Sequence, residues 1–530
     1  MTENLIQAID SYAETQGDKV AYAYDGEKHT YKELKQFSDA LAERIDSLEL
    51  PLNQPIIVFG GKSFSMIVAF LAAVKSGHAY IPVDINSPKE RLTMINQIAK
   101  PVAVIATEAL PEKLPDIPEI DQDELDHICL EKVDYHLTHP IHDDQTYYII
   151  FTSGTTGVPK GVEISYNNLI SFVNWVVSDA FNLPKDLQML QQPAYSFDLS
   201  VMSLYPTLYQ GGTLHVLSKK TTDNFVVLFT ALRTMTINTW VSTPSFMDIC
   251  LLESTFDQEH HPDLRDFLFC GEELTHKTAA ALKKRFPDAH IYNTYGPTES
   301  TVAITEIEIT NDILNNYDRL PIGYVKPEMN AKVVNENGDD ITDGKRGELI
   351  IYGTNVSKGY INNPATYAKS FFKIGEQQAY RTGDIVTMDD DGMLRYFGRK
   401  DFQIKLNGFR IELEDVSALV NKEEHVKQAV VVPKYNAQHT VSMLIAYVVP
   451  EENDFKNNLE LTAAIKKNLG QDMMAYMIPQ KIVYQKSLPL SSNGKVDIKA
   501  VISEVNNQWD GIFLTVTQLT SSGWRWRWSR

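Results

Sequence analysis

Thr152-Ser-Gly-Thr-Thr-Gly-Val-Pro-Lys-Gly161 follows the apolar run Tyr147–Phe151 and gathers four hydroxyls, three glycines and one ammonium into ten residues. Glycine lets the backbone approach a ligand closely and turn its N–H groups inward. Such N–H groups form an anion nest, to which Ser, Thr and Lys add donors for phosphate oxygens. A Walker loop needs Gly-Lys-Ser/Thr at the opening of a helix. Here Pro159 and Lys160 run instead into Gly161-Val-Glu-Ile164, which reads as a second strand. The stretch is read as a strand–loop–strand nucleotide clamp, and a P-loop ATPase or a kinase is disfavoured. For the loop alone, a hairpin turn that is merely rich in Ser, Thr and Gly is the alternative.

Outward from this loop, short apolar strands alternate with amphipathic helices up to about residue 400. Pro55–Phe59 reads as a strand followed by a helix around Met66–Val74; a helix near Pro88–Ile98 precedes a strand at Pro101–Ile105. That alternation predicts an α/β fold with βαβ units and parallel sheets covered by helices. Between Asn335 and Gly398 the texture changes to strands punctuated by Gly and Asp, which predicts a small β-rich part with tight turns. A compact α+β unit is predicted from Asp401, with a helix over Ile411–Lys422 and strands at Ala429–Pro433 and Met443–Val449. The expected domains are therefore 1–400, 401–505 and an atypical, poorly ordered tail over 506–530.

A chain of 530 residues is too long for one core. Its net charge of −20 argues against a nucleic-acid partner, which would want a basic footprint. Residues 401–505 are nearly neutral, with 12 Lys/Arg against 13 Asp/Glu, so an acidic macromolecular partner would meet that part more easily. No apolar run reaches the roughly 20 residues needed to span a bilayer, and no basic-then-apolar leader follows Met1. Three cysteines give neither a disulfide framework nor a zinc motif. A cytoplasmic protein without stable membrane insertion is expected.

Five further segments carry groups suited to nucleotide chemistry. Ser196-Phe-Asp-Leu-Ser200 sets Asp198 among apolar residues, where a carboxylate needs a cation; a helix N-cap is the competing reading. Asn293-Thr-Tyr-Gly-Pro-Thr-Glu299 offers an aromatic plate and an acid able to hold Mg²⁺. Tyr380-Arg-Thr-Gly-Asp384 presents an Asp on a glycine turn, suited to two ribose hydroxyls. Gly398-Arg-Lys-Asp401 brings Arg399 to the predicted domain seam, and Ser491-Ser-Asn-Gly-Lys495 puts a lysine on a polar turn.

Together, and in this order, the motifs resemble the adenylate-forming superfamily of acyl-CoA synthetases, luciferases and nonribosomal peptide synthetase adenylation domains, from about residue 8 to about residue 503. Phe-Asp-Leu-Ser200, Phe267-Leu-Phe-Cys-Gly-Glu-Glu273, the Tyr295 motif and Phe402-Gln-Ile-Lys-Leu-Asn-Gly-Phe-Arg410 are similar to its D-alanine-activating branch. That resemblance implies a large N-terminal domain with two α/β subdomains and a β-rich one, plus a small mobile C-terminal lid hinged at Asp401. It implies ATP and Mg²⁺ as reactant and cofactor, and D-alanine as substrate. It also implies a D-alanyl carrier protein with a phosphopantetheine arm as partner, in the first step of (lipo)teichoic acid D-alanylation, and a monomer.

Residue by residue, the resemblance implies that Thr152, Ser153, Gly154, Thr155, Thr156 and Lys160 wrap the triphosphate. Glu272, Asn293, Thr294 and Tyr295, with Gly296, Pro297 and Thr298, would line the nucleotide pocket. Asp384 would hold the ribose, Arg399 would touch phosphate or ribose oxygens, and Glu299 would place Mg²⁺. Asp198 would pair with the α-ammonium, while Leu199, Met202, Cys270 and Val302 would form a small apolar wall. Lys495 would bridge the substrate carboxylate and the α-phosphate. A stand-alone adenylation enzyme for L-alanine, glycine or serine is the rival reading. Superfamily members end soon after the Asn-Gly-Lys turn, whereas this chain continues through Trp524, Trp526 and Trp528 between arginines.

Overall fold

The computed structural model describes residues 4–153, 158–341, 344–438, 440–489 and 496–506. They fall into two compact units. The first comprises the described residues among 4–152, 159–401 and 407–409, the second those among 153–158, 402–406 and 410–506.

Two large sheets build the first unit. One has seven strands, with Ile56–Gly60 near its middle, paired in parallel with Tyr80–Asp84 and Ala103–Ala106. The other has nine strands and runs in parallel through Gln188–Gln191, Thr239–Ser242, Asp266–Phe269 and His290–Tyr295. Strand side chains alternate between faces, and the core follows that period. Ile56 and Val58 join a core shared with the nine-stranded sheet, while Ile57 and Phe59 enter a separate one on the opposite face. The shared core is filled by helices Phe64–Lys75, Tyr166–Val176 and Leu199–Tyr209. In the first of these every residue but Ser65 is buried, so nearly its whole circumference is packed. It ends on Lys75, whose Nζ donates to Asp10 (2.9 Å), Asp39 (2.7 Å) and Ser38 Oγ (2.9 Å).

The sheets are not purely parallel. Thr146–Thr152 and Lys160–Ser165, the strands flanking the Ser/Thr/Gly loop, pair antiparallel, with Thr152 opposite Lys160. The connection from Ser153 to Pro159 is too short for a parallel crossover, which takes a dozen residues or more. The β-rich part is a five-stranded antiparallel sheet, in which Gln377–Met388 pairs with Gly347–Gly353, Phe371–Ile374 and Leu394–Arg399.

The second unit carries a three-stranded sheet of Val426–Tyr435, Val441–Pro450 and Lys481–Tyr484, with Val430, Val432, Ile445 and Tyr447 in its core. The helix predicted over Ile411–Lys422 is shorter, Leu413–Val420. Ile411 and Glu412 belong instead to the strand Phe409–Glu412, paired with Gln403–Leu406. Between those strands Asn407 (φ +51°) and Gly408 (φ +83°) form a two-residue left-handed turn, the Asn-Gly hairpin signal.

Candidate functional site

Asp384 and Arg399 lie directly opposite each other on neighbouring strands, where the register shifts between Asp384 and Val386. Such a bulge re-aims side chains. Gly383 (φ +73°) supplies the turn, and a Cβ there would lie 2.7 Å from Arg399 Nη2. Arg399 Nη1 donates to Asp384 Oδ1 at 3.0 Å and to the Thr382 carbonyl at 2.9 Å. Its Nε and Nη2 fork onto the two oxygens of Asp401, both at 2.7 Å. The other Asp384 oxygen accepts from the Tyr295 hydroxyl. Burial, then the Asp384 carboxylate, pushes the Tyr295 phenol far above its ordinary range, so it stays a donor. Tyr295 ends the strand His290–Tyr295, which brings the predicted ribose acid and the predicted aromatic plate together. Behind them, Tyr396 lies 6.4 Å from the Tyr295 ring and under the Arg319 guanidinium, which is itself forked onto Glu273 at 2.7 and 2.6 Å.

Upstream on the same strand, Asn293 and Thr294 spend their side chains on backbone carbonyls, Pro321 at 2.7 Å and Phe269 at 2.9 Å. They therefore shape the wall rather than present free polar ends on those atoms. Glu272 accepts from the Ser245 amide at 3.1 Å and the Gly408 amide at 2.8 Å. Past the strand, Gly296 leaves no room for a side chain, since a Cβ would meet Ala303 Cα at 2.6 Å. Pro297 leads into the single turn Thr298–Ser300.

Glu299 on that turn is fully buried, and Tyr360 donates to its Oε1 at 2.7 Å. Lys160 Nζ lies 5.8 Å from the centre of the same tyrosine ring. Tyr360 thus joins the lysine of the clamp to the acid of the Tyr295 motif. It was missed in the sequence because nothing in Lys358-Gly-Tyr360 marks it; its place follows only from pairing with Val162. Thr152, opposite Lys160, has a buried hydroxyl without a hydrogen-bond partner among the described residues, so an oxygen-rich ligand would find an unused donor there. A buried carboxylate beside hydroxyls and an ammonium is a donor set that fits Mg²⁺ with phosphate oxygens. Ser153, which clusters with the second unit, donates to the Arg410 carbonyl at 2.8 Å. Gly154, Thr155, Thr156, Lys495 and the tail beyond residue 506 lie outside the described residues.

Asp198 stands at the N-cap of Leu199–Tyr209, yet its side chain makes no capping hydrogen bond. The capping alternative for this carboxylate is thereby set aside. Asp198 is buried; burial, then Tyr80, then the Asp198 charge raise the Tyr148 phenol well above its ordinary range. Leu199 and Met202 are buried on the helix it starts, in the same core as Cys270, Tyr295 and Val302. Cys270 Sγ lies 3.8 Å from the Val302 carbonyl. Thr301 (φ +58°) and Val302 (φ +71°) are both left-handed, a strained pairing that includes a β-branched residue.

Residues 9–361 match the AMP-binding enzyme family, and residues 415–495 match the AMP-binding enzyme C-terminal domain. A protein of Lactiplantibacillus plantarum named D-alanine--D-alanyl carrier protein ligase is 59% identical over 506 residues, 96% of this chain and 100% of that protein. Proteins of the same name from Lacticaseibacillus casei and Streptococcus agalactiae are 52% and 50% identical, each over 96% of this chain and the whole of theirs. Among solved structures, the Vibrio cholerae adenylation domain AlmE in complex with glycyl-adenosine-5'-phosphate superposes with a TM-score of 0.79 at 22% identity. It covers 95% of this chain and 98% of its own, and shows the adenylate-forming fold. The chain belongs to the AMP-binding enzyme family and, within it, to the D-alanine--D-alanyl carrier protein ligases.

Proposed function

We propose that the protein activates D-alanine with ATP and loads it onto a D-alanyl carrier protein. In the first half-reaction a D-alanine carboxylate oxygen bonds to the α-phosphorus, the bond to the β-phosphate oxygen breaks, and pyrophosphate leaves. In the second, the phosphopantetheine thiol of the carrier attacks the acyl carbon, loses its proton, and AMP departs. The observation that carries the reading is Asp198: a buried carboxylate, not capping its helix, in a chain 59% identical to a ligase of that name. An amino acid offers an ammonium for such a group; a fatty acid does not.

Anion meets anion when a carboxylate attacks phosphate, so the site must supply positive charge whose value grows at the transition state. Lys160 with the hydroxyls and amides of Thr152, Ser153, Gly154, Thr155 and Thr156 is assigned to the triphosphate. Asp384 accepts from the ribose hydroxyls, held in place by Arg399 and Tyr295. Glu272, Asn293, Thr294, Gly296, Pro297 and Thr298 are assigned to the walls around the base. Glu299 is the residue that would hold Mg²⁺, which supplies charge at the phosphate oxygens. Leu199, Met202, Cys270 and Val302 leave space for a methyl group. Lys495 is assigned to the substrate carboxylate and α-phosphate during adenylation, with Asp401 as the hinge that lets it be exchanged for the carrier arm. The reaction is assigned to the cytoplasm, where ATP is available, and to a monomer.

Incubating the protein with ATP, D-alanine and phosphopantetheinylated carrier should add one alanyl group to the carrier by mass. A Lys495→Ala variant should lose adenylation yet transfer from preformed D-alanyl adenylate. No alanyl adduct with wild-type protein, or equal loss of both steps in the variant, would contradict the assignment.

A further inference from the structure

Two successive left-handed residues without glycine, Thr301 and Val302, need something to over-determine them, because each costs on the order of 1–3 kcal/mol. Short-range bonds contribute. The Ala303 amide donates back to the Thr301 carbonyl at 2.9 Å, and the Ile304 amide to the Tyr295 carbonyl at 2.8 Å. The longer-range support converges on one loop, residues 354–357. Thr301 Oγ1 donates to the Asn355 carbonyl at 2.8 Å, and the Ser357 amide donates to the Glu299 carbonyl at 2.9 Å. Asn168 Nδ2 ties the loop at both ends, to the Thr354 carbonyl at 2.7 Å and the Val356 carbonyl at 3.1 Å.

Asn355 is fully buried, and its Oδ1 is held by Lys326 Nζ at 2.9 Å and Ser171 Oγ at 2.9 Å. Lys326 Nζ also meets Ser171 Oγ at 2.9 Å, and its backbone amide donates to the Ile304 carbonyl at 2.7 Å. Lys326 therefore grips the strained turn twice, at its exit through Ile304 and at its flank through Asn355. It is itself almost wholly buried. Burial pulls its ammonium down to about 8, and Glu328 opposes that. A buried cation is costly unless its bonds are needed.

We infer that Lys326 is a positioning residue for the amino-acid pocket: through Asn355 it fixes the Thr301–Val302 turn, and hence the Val302–Cys270 wall against the substrate methyl. This rests on the pocket assignment proposed above. Lys326 touches neither Glu299's carboxylate, which Tyr360 holds, nor Asp384 and Arg399, so its effect should fall on the amino acid and spare the nucleotide.

The test uses the full chain with Lys326→Met, Asn355→Leu and Asn355→Asp. Networks of this kind typically couple by several-fold to some thirtyfold. Lys326→Met and Asn355→Leu should therefore raise KM for D-alanine about tenfold and lower D- over L-alanine discrimination, with KM for ATP within about threefold. Asn355→Asp keeps an acceptor for the ammonium and loses only an Nδ2 that has no hydrogen-bond partner among the described residues. It should retain the D-alanine KM. Amide hydrogen exchange at Ala303, Ile304 and Ser357 should quicken about tenfold in Lys326→Met, while helix Phe64–Lys75 is unchanged. Equal change in both KM values, an Asn355→Asp defect matching Asn355→Leu, or unaltered exchange at those amides would overturn the inference. A wild-type protein inactive on D-alanine would overturn the proposed function instead, and the exchange comparison would still decide the role of Lys326.

Discussion

Two buried charge clusters in the first unit use similar chemistry to different ends. Around Lys75 the ammonium is wholly sealed, and its donors go to Asp10, Asp39 and Ser38. Around Arg399 the guanidinium also holds two carboxylates, but Asp401 has 48% of its side chain exposed against 6% for Asp39. The first cluster joins three helices of a core, with Lys35 as a second, half-buried cation on Asp39. The second opens to solvent at one end and includes a tyrosine donor shared with Asp384, so ligand hydroxyls can enter its hydrogen bonding. A buried ion pair by itself marks neither architecture nor function; the path to solvent separates the two.

That contrast can be broken by substitution. Lys75→Met leaves Asp10 without its cation and Asp39 with Lys35 alone, and removing one partner of a buried pair costs about 3–5 kcal/mol. Denaturant titration should show that loss, while kcat/KM per folded molecule stays unchanged; an activity defect with intact stability would erase the distinction. Asp384→Ala should behave in the opposite way. Arg399 keeps its fork on Asp401, so stability should fall little. Hydrogen bonds to a charged group are worth about 1.5–3 kcal/mol, so KM for ATP should rise about 10- to 100-fold. Unchanged ATP dependence would remove Asp384 from the site.

The smallest expected effect lies one strand in from the edge of the nine-stranded sheet, on Thr305–Glu308. Burial, then the neighbouring Glu308 charge, raises Glu306 from about 4.5 to about 7. The folded state thus binds a proton more tightly than the unfolded chain. The stability so gained is full below about pH 4.5 and is lost as pH rises through about 7. Glu306→Gln should flatten that part of the melting-temperature profile, and an identical slope in both proteins would contradict it.

The fold was largely legible because short, wholly apolar strands and buried helices leave a strong mark in sequence, as in Ile56–Gly60 and Phe64–Lys75. The start of the helix at Leu413 was misplaced because the Asn407-Gly408 hairpin turn was not weighed. Asp384, Arg399 and Glu299 were legible as polar residues in glycine-marked turns. Tyr360 and Lys326 were not. Their roles come from partners far away in the chain, Glu299 for one, Ser171 and Asn355 for the other, and no local pattern announces such contacts.

The most direct measurement is ATP–pyrophosphate exchange across D-alanine, L-alanine, glycine, serine and propionate, with wild-type protein and Asp198→Asn. D-alanine should give the highest kcat/KM, propionate should be inert, and Asp198→Asn should lose most of its activity on D-alanine through KM. Exchange with propionate as fast as with D-alanine, or an Asp198→Asn variant indistinguishable from wild type, would contradict recognition of an α-ammonium by this buried carboxylate.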